Sequence, residues 1–427
     1  MPDSAILYKN ADNTVFLIDI PTSIALAQDL SPIQAGVTTP GNQHGSAKQR
    51  APLLSSAPLN KPYPVSSEPK TDIARARLLE RIPPAERLYH ADIIAPLVRD
   101  ALCDIRANHP HIQSTWCLPR LTVEPVPDEP RDTAYRPSCL PGDFPLLLDE
   151  PAPGDPTPVI LAPGAHANLF ASSSDVCHAP TRNPSPEPAT LHIARVSAQD
   201  DTSATFTIPP QSSFVLGRIP LSREGRGPPV PGLPATRQFD LILLDPPWHN
   251  RSVRRSRHYR TQSYRAGDTL AQSMGAVLRA HLRPAEGSLA AMWITNSQRA
   301  RAVVDEALRA AGLFVCEEWV WVKTTVEGEP MVPVEGIWRK PYEVLVVGRR
   351  RAAGDPASVT RRVIAAVPDV HSRKPNLREI VETVFAASWG PGSSALEVFA
   401  RNLTAGWWAC GDEVLKFNQD TWWMCMS

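Results

Sequence analysis

The chain has 427 residues, a length that suggests two or three domains, and 42% of them are hydrophobic, enough for a sizeable core. Its 44 basic and 44 acidic residues cancel, so bulk charge argues neither for nucleic acid nor for a membrane surface. No apolar run approaches the ~18 residues of a membrane span, and the opening MPDSAILYKN lacks a secretory pattern, which points to an intracellular protein with no membrane partner.

Proline is the outlier. The 46 prolines are about twice the usual ~5%, and they crowd into residues 121–237, where they exclude helix interiors and central strands. The seven cysteines (Cys103, Cys117, Cys139, Cys177, Cys316, Cys410 and Cys425) are odd in number and form no C-x-x-C, so they read as reduced thiols. His44, His90, His109, His111 and His166 lack ligand spacing, and no metal is expected.

Residues 1–30 hold a strand, TVFLIDI, and a helix starting at Pro21 or Thr22. Residues 31–75, rich in Pro, Ser, Gly, Gln and Lys, read as a disordered linker. From Asp72 to Asn108 apolar residues recur at helical spacing, with a break at Pro83–Pro84. Residues 76–205 are taken as a mixed, loop-rich accessory domain, in which FPLLLDE, TPVILAP and ATFTI are short β-like runs. From about 206 to 427 strands alternate with helices: SFVLGRI, QFDLILLDPPW, SLAAMWITN, LFVCEEWVWVKTT, YEVLVVGRRR and SALEVFARN against TLAQSMGAVLRAHL, SQRARAVVDEALRAAG and NLREIVETVFAAS. That alternation predicts an α/β doubly wound parallel sheet, with its site at the carboxyl ends of the strands.

Asp245-Pro246-Pro247-Trp248 follows the apolar run LILL. Two prolines after a strand make a rigid loop that presents a carboxylate, a carbonyl and an indole. Adenine's exocyclic amine is a poor nucleophile, because its lone pair is delocalised into the ring. Asp245 and the Pro246 carbonyl, as acceptors for its hydrogens, would favour the nucleophilic form and stabilise the developing positive charge. Trp248 would stack on the base, which must be unstacked to reach it. The bland alternative is a strand-end turn with a core Trp.

With this quartet the chain resembles the MT-A70 family of adenine methyltransferases. DPPWHNRSVRRSRHY, EEWVWVKTT, RKPYEVLVVGR, VHSRKPNL and LEVFARNLTAGWWACGDEVLKF are similar, in order, to blocks of the branch called methyltransferase-like protein four, over roughly 240–420. TVFLIDIPTSI resembles the opening of fungal members. The resemblance implies a permuted Rossmann-like methyltransferase domain at the C-terminus, with the catalytic loop first and the main cofactor strand last. It implies S-adenosyl-L-methionine as cofactor, with Lys374 at its carboxylate, Glu397 and Arg401 near it, Asp412 and Glu413 at its ribose, and Thr404 among the contacts. Where relatives carry an acidic residue before an Ile to meet the cofactor's adenine, this chain has Arg218; Arg218 cannot accept the amine's hydrogens, which leaves the backbone of Ile219.

Between Arg251 and Arg265 lie six arginines and no acid. Arg251, Arg254, Arg255 and Arg257, with Tyr259 as a stacking ring, are candidate nucleic-acid contacts beside the bound base; an import signal or a solvated loop are the alternatives. The implied substrate is RNA, an adenosine bearing a 2′-O-methyl group in a small nuclear RNA, and the implied place is the nucleus. A DNA adenine methyltransferase and a non-catalytic RNA-binding subunit are the competing readings. Nothing in the sequence asks for an oligomer, so the chain is read as a monomer.

Overall fold

The computed structural model describes residues 3–29, 52–64, 68–69, 71–109, 115–122, 157–195, 203–221, 227–248, 267–337, 339–351, 358–390 and 392–423. A twelve-stranded sheet organises them. In chain order its strands are β1 (Ile6–Lys9), β2 (Val15–Ile18), β3 (Val159–Ile160), β4 (Pro180–Arg182), β5 (Ser213–Leu216), β6 (Leu241–Leu244), β7 (Leu289–Ile294), β8 (Phe314–Lys323), β9 (Tyr342–Arg349), β10 (Thr360–Ala366), β11 (Ala395–Val398) and β12 (Trp408–Gly411). Across the sheet the order is β1-β2-β10-β8-β9-β7-β6-β11-β12-β5-β4-β3. The helices are α1 (Ile20–Ala27), α2 (Asp72–Leu79), α3 (Pro84–Leu88), α4 (Ala95–Asn108), α5 (Gly267–His281), α6 (Gln298–Ala310) and α7 (Arg378–Val384).

The central strands are apolar on both faces because helices cover both. Leu17, Ile242, Met292, Val320 and Val346 pack with α4, α5 and α6 on one side. Their sequence neighbours Phe16, Leu241, Trp293, Trp319 and Leu345 pack with α1 and α7 on the other. The period-two alternation of a strand therefore feeds two cores. As expected from the sequence, the C-terminal part is a large, mostly parallel α/β sheet. One strand departs from the parallel expectation: β9 runs antiparallel to both β7 and β8. No helix crosses between β8 and β9, so the chain returns beside β8 in the opposite direction.

The sheet crosses the boundaries drawn from sequence at 30, 75 and 205. β2 pairs parallel with β10, β3 and β4 extend the far edge, and α4 packs on the core through Val98, Leu102 and Ile105. Within 31–75, residues 31–51 lie outside the described ones, but Leu53 is 4% exposed and bridges to Trp423, so the stretch around it is folded structure and not linker. The run FPLLLDE also lies outside the described residues. Helix α1 starts at Ile20, one residue before the expected Pro21, because the Asp19 carboxylate caps it by accepting from the Thr22 amide at 3.1 Å. A separate three-stranded sheet (Gly164–Phe170, Ala189–Ile193 and Ala204–Ile208) packs on the 400–415 region through Phe206 and Leu191. The five described cysteines are free thiols; Cys139 and Cys425 lie outside the described residues.

Because β2 is an inner strand, its side chains carry core stability. Phe16 is fully buried. Phe16→Ala is expected to destabilise the whole domain by about 3–5 kcal/mol. Chemical denaturation should show one cooperative transition moved to lower denaturant; an unchanged midpoint would mean that the N-terminal strand is dispensable.

Candidate active site

Parallel register aligns the carboxyl ends of four neighbouring strands. Leu244 of β6 faces Val398 of β11, Val398 faces Cys410 of β12, and Leu216 of β5 faces Gly411. Asp245 is the next residue after β6, and its amide still donates to the Val398 carbonyl at 3.2 Å. Beyond β11 the chain bends at Phe399, whose φ of 62° is unusual for an aromatic residue. These strand ends open a cavity lined by Asp245, Trp293, Lys374, Glu397, Phe399 and Arg401, among others.

Asp245 sits in the middle of a row of alternating charges. Its Oδ2 accepts from Arg401 Nη1 at 2.9 Å, and its Oδ1 lies 3.5 Å from Lys374 Nζ. Arg401 Nε continues to Glu413 Oε2 at 2.9 Å, and Glu413 Oε1 accepts from Lys416 at 3.0 Å. On the other side Lys374 donates to Glu343 Oε2 at 2.5 Å, and Lys323 donates to Glu343 Oε1 at 2.6 Å. The row reads Lys323, Glu343, Lys374, Asp245, Arg401, Glu413, Lys416. The cations Lys374 and Arg401 both keep only 18% of their side-chain surface in solvent. Screening is therefore weak, and each pair counts for more than a surface ion pair. Burial works against ionising Glu343, yet Lys374 and Lys323 hold it well below the usual carboxylate range. Burial likewise opposes the charge on Lys374, but Asp245 and Glu343 raise its pKa. Arg401 and Lys416 outweigh burial at Glu413 and lower it.

The aromatic part of the site lies beside Lys374. Its ammonium is 5.1 Å from the Trp293 ring centre and 5.6 Å from that of Trp321, and Lys323 is 4.7 Å from Trp321. Trp248 is half-buried and its indole N–H donates to the Trp293 carbonyl at 2.8 Å. The indole expected as a freely presented ring is therefore pinned by its edge. The Pro246 carbonyl, expected to be without a backbone partner, accepts from the Trp248 amide at 2.8 Å, which leaves its second lone pair for a ligand.

Glu397 differs from the other carboxyls. It faces the cavity from β11, and burial and then the nearby Asp245 push its pKa up to about 8, against the pull of Arg401. A partly buried carboxyl without a close cation suits a site that receives a cationic ligand group. The raised value has a stability consequence. Below about pH 4.5, its ordinary value, Glu397 is protonated folded and unfolded alike and costs nothing. Between 4.5 and 8 only the unfolded chain gives up the proton, so stability falls as pH rises, and above 8 the loss is complete. Glu397→Gln is therefore expected to match wild type in melting temperature at low pH and to exceed it increasingly up to about pH 8, then by a constant margin. A pH-independent difference between the two melting curves would contradict this environment for Glu397.

Not every residue singled out from sequence reaches this cavity. Thr404 is 2% exposed and its hydroxyl accepts from Asn376 at 2.7 Å, under the loop that carries Lys374. Glu413 spends its carboxylate on Arg401 and Lys416, so of the Asp412–Glu413 pair it is Asp412, exposed after β12, that is free to meet a ribose. Ile219 is 8% exposed just beyond β5, and the exposed Arg218 acts electrostatically on Asp412. Arg251, Arg254, Arg255, Arg257 and Tyr259 lie outside the described residues. Four participants were not singled out from sequence. Glu343, Lys323, Trp293 and Trp321 come from three different strands, and only the antiparallel return of β9 places Glu343 against Lys374.

Comparison with known proteins fits this geometry. The MT-A70 family profile matches residues 239–413, the stretch that carries Asp245, Lys374, Glu397 and Arg401. The N6-methyladenosine RNA methyltransferase MTA1 of Cryphonectria parasitica is 32% identical over 98% of this chain and 94% of its own length. The chain belongs to the MT-A70 family. A second MTA1, from Pyricularia oryzae, is 30% identical over 99% of the chain and 96% of that protein. The mouse N(6)-adenine-specific methyltransferase METTL4 is 36% identical over 50% of the chain and 44% of its own length. Family membership makes the chain an adenine-N6 methyltransferase, as the Asp-Pro-Pro-Trp block leads one to expect. Among the described residues no helix is long and apolar enough to cross a membrane.

Proposed function

We propose that this MT-A70 protein methylates the N6 amine of adenosine in RNA, with S-adenosyl-L-methionine as donor. The observation that carries the reading is the placement of Asp245 at the head of a double-proline turn, between the cations Lys374 and Arg401, on the floor of a strand-end cavity. Bound S-adenosylmethionine supplies an electrophilic methyl on a sulfonium, which needs no metal. The residues present suit it: Lys374 for a carboxylate, Glu397 for a cationic centre, and Asp412 for ribose hydroxyls.

The chain's own groups act on the acceptor. Asp245 Oδ1 and the free lone pair of the Pro246 carbonyl accept the two N6 hydrogens, which localises the amine lone pair on nitrogen. As the C–N bond forms, the amine becomes positive and more acidic, and Asp245 is the nearest carboxylate to take its proton. Trp248, anchored through its N–H, offers a ring wall, and the arginines of residues 251–257 lie next in sequence, where phosphates of the acceptor strand would run.

RNA is preferred to DNA because the two relatives that match along nearly the whole chain are named as RNA methyltransferases. A 2′-O-methyladenosine acceptor in a small nuclear RNA, and residence in the nucleus, are what the resemblance to the methyltransferase-like protein four branch adds. Transfer to matched oligonucleotides bearing adenosine, 2′-O-methyladenosine or deoxyadenosine at one position tests the proposal. Preference for either ribose form supports it, and preference for deoxyadenosine overturns the RNA assignment.

A further inference from the structure

Lys374 is followed by Pro375 and preceded by a buried arginine. Ser372 has a φ of 69°, a conformation uncommon for residues other than glycine, and it turns the chain so that adjacent side chains diverge. Lys374 enters the cavity, whereas the Arg373 side chain is completely buried against Asp369, with Nη1 2.6 Å from Oδ2. The same Nη1 donates to the Leu54 carbonyl at 2.8 Å. The guanidinium carbon lies 4.3 Å from the ring centre of Phe417 and 4.6 Å from that of Trp422. Its Nε and Nη2 find no oxygen, so the ring faces stabilise that end of the group.

Three distant segments meet at this point. Asp369 also accepts from the Ser56 amide at 2.8 Å. Arg120 donates to the carbonyls of Pro368 and Val367, both at 2.7 Å. Phe417 and Trp422 belong to the C-terminal turns that also carry Lys416 of the charge row. A buried arginine is costly to keep and strongly disruptive to unpair, and none of these contacts touches the cavity directly.

We propose that Arg373 is a positioning residue: it fixes the direction of Lys374 by fastening the 371–375 loop to the C-terminal aromatics and the 53–56 segment. The inference rests on the reading that Lys374 holds the cofactor's carboxylate. A fork of fixed geometry clamped between two rings restrains the backbone on one side of Lys374, and Pro375 restrains it on the other. The ammonium then meets its partner without first losing conformational freedom, which raises affinity.

The test separates positioning from mere structural support. S-adenosylmethionine binding is titrated calorimetrically, and melting temperature recorded, for wild type, Arg373→Lys and Trp422→Leu. Both substitutions are then repeated in a Lys374→Met background. Trp422→Leu keeps the guanidinium and guards against a misfolded Arg373 variant. If Arg373 acts through Lys374, each substitution weakens binding about tenfold when Lys374 is present and less than about twofold when it is absent. Equal losses in both backgrounds, or a lowered melting temperature with unchanged affinity, overturn the proposal. A Lys374→Met protein with wild-type affinity overturns the assignment of Lys374 itself, and the inference falls with it.

Discussion

Asp245→Ala is expected to lower methyl transfer by about a hundred- to ten-thousand-fold, the range for losing a group that positions and deprotonates a nucleophile. Donor affinity should change little, because Lys374 keeps its pair with Glu343 and Arg401 its pair with Glu413. Asp245→Asn is the sharper variant. It keeps the shape and one acceptor oxygen, but it cannot take a proton, and its amide would face the Lys374 and Arg401 cations with the wrong polarity on one side. Single-turnover rates with saturating donor, beside calorimetric binding of that donor, check both halves of the expectation. Wild-type turnover in either variant would remove Asp245 from the chemistry.

Lys374→Ala should act differently, on both donor affinity and rate. Loss of a charged hydrogen bond of about 1.5–3 kcal/mol weakens donor binding roughly ten- to a hundredfold. The same change strips the cation from between Asp245 and Glu343, and leaves these two and Glu397 in one poorly solvated cluster with Arg401 and Lys323 as the neighbouring cations. Like charges then disfavour ionisation, so the pH at which transfer reaches half its maximum should rise relative to wild type. Lys374→Arg should keep the charge and shift the profile less. Measuring donor affinity and the pH–rate profile for both variants decides; unchanged affinity in Lys374→Ala would take the residue out of the donor site.

Local features were legible in the sequence, and long-range ones were not. The Asp-Pro-Pro-Trp block could be read because its groups are consecutive and follow an apolar run that can only be a buried strand. Arg401 and Glu397 were placed by resemblance, and both line the cavity. Glu343 could not be assigned a role, since its partners lie 20 and 31 residues away on other elements. Strand β10 escaped notice because it begins with Arg361 and Arg362, charges that only make sense against Glu318 and Glu317 of β8. β12 escaped because it is a short run at a glycine-rich stretch. Arg373 resembled an ordinary loop cation, and its burial depends on Asp369, Leu54, Phe417 and Trp422 together. The N-terminal strand and helix were read correctly as elements. Their membership of the main sheet rests on pairing with residues almost 350 positions later, for which local periodicity carries no signal.

The most direct test of the central claim uses S-adenosylmethionine carrying a deuterated methyl group, an adenosine-containing RNA, and the wild-type protein beside Asp245→Asn. The product nucleosides are separated and identified by mass spectrometry against authentic N6-methyladenosine and its positional isomers. The account predicts the whole labelled methyl on N6 with wild type and at most about a hundredth of that amount with Asp245→Asn. Label at another position of the base or on the ribose, or equal labelling by the two proteins, would contradict it.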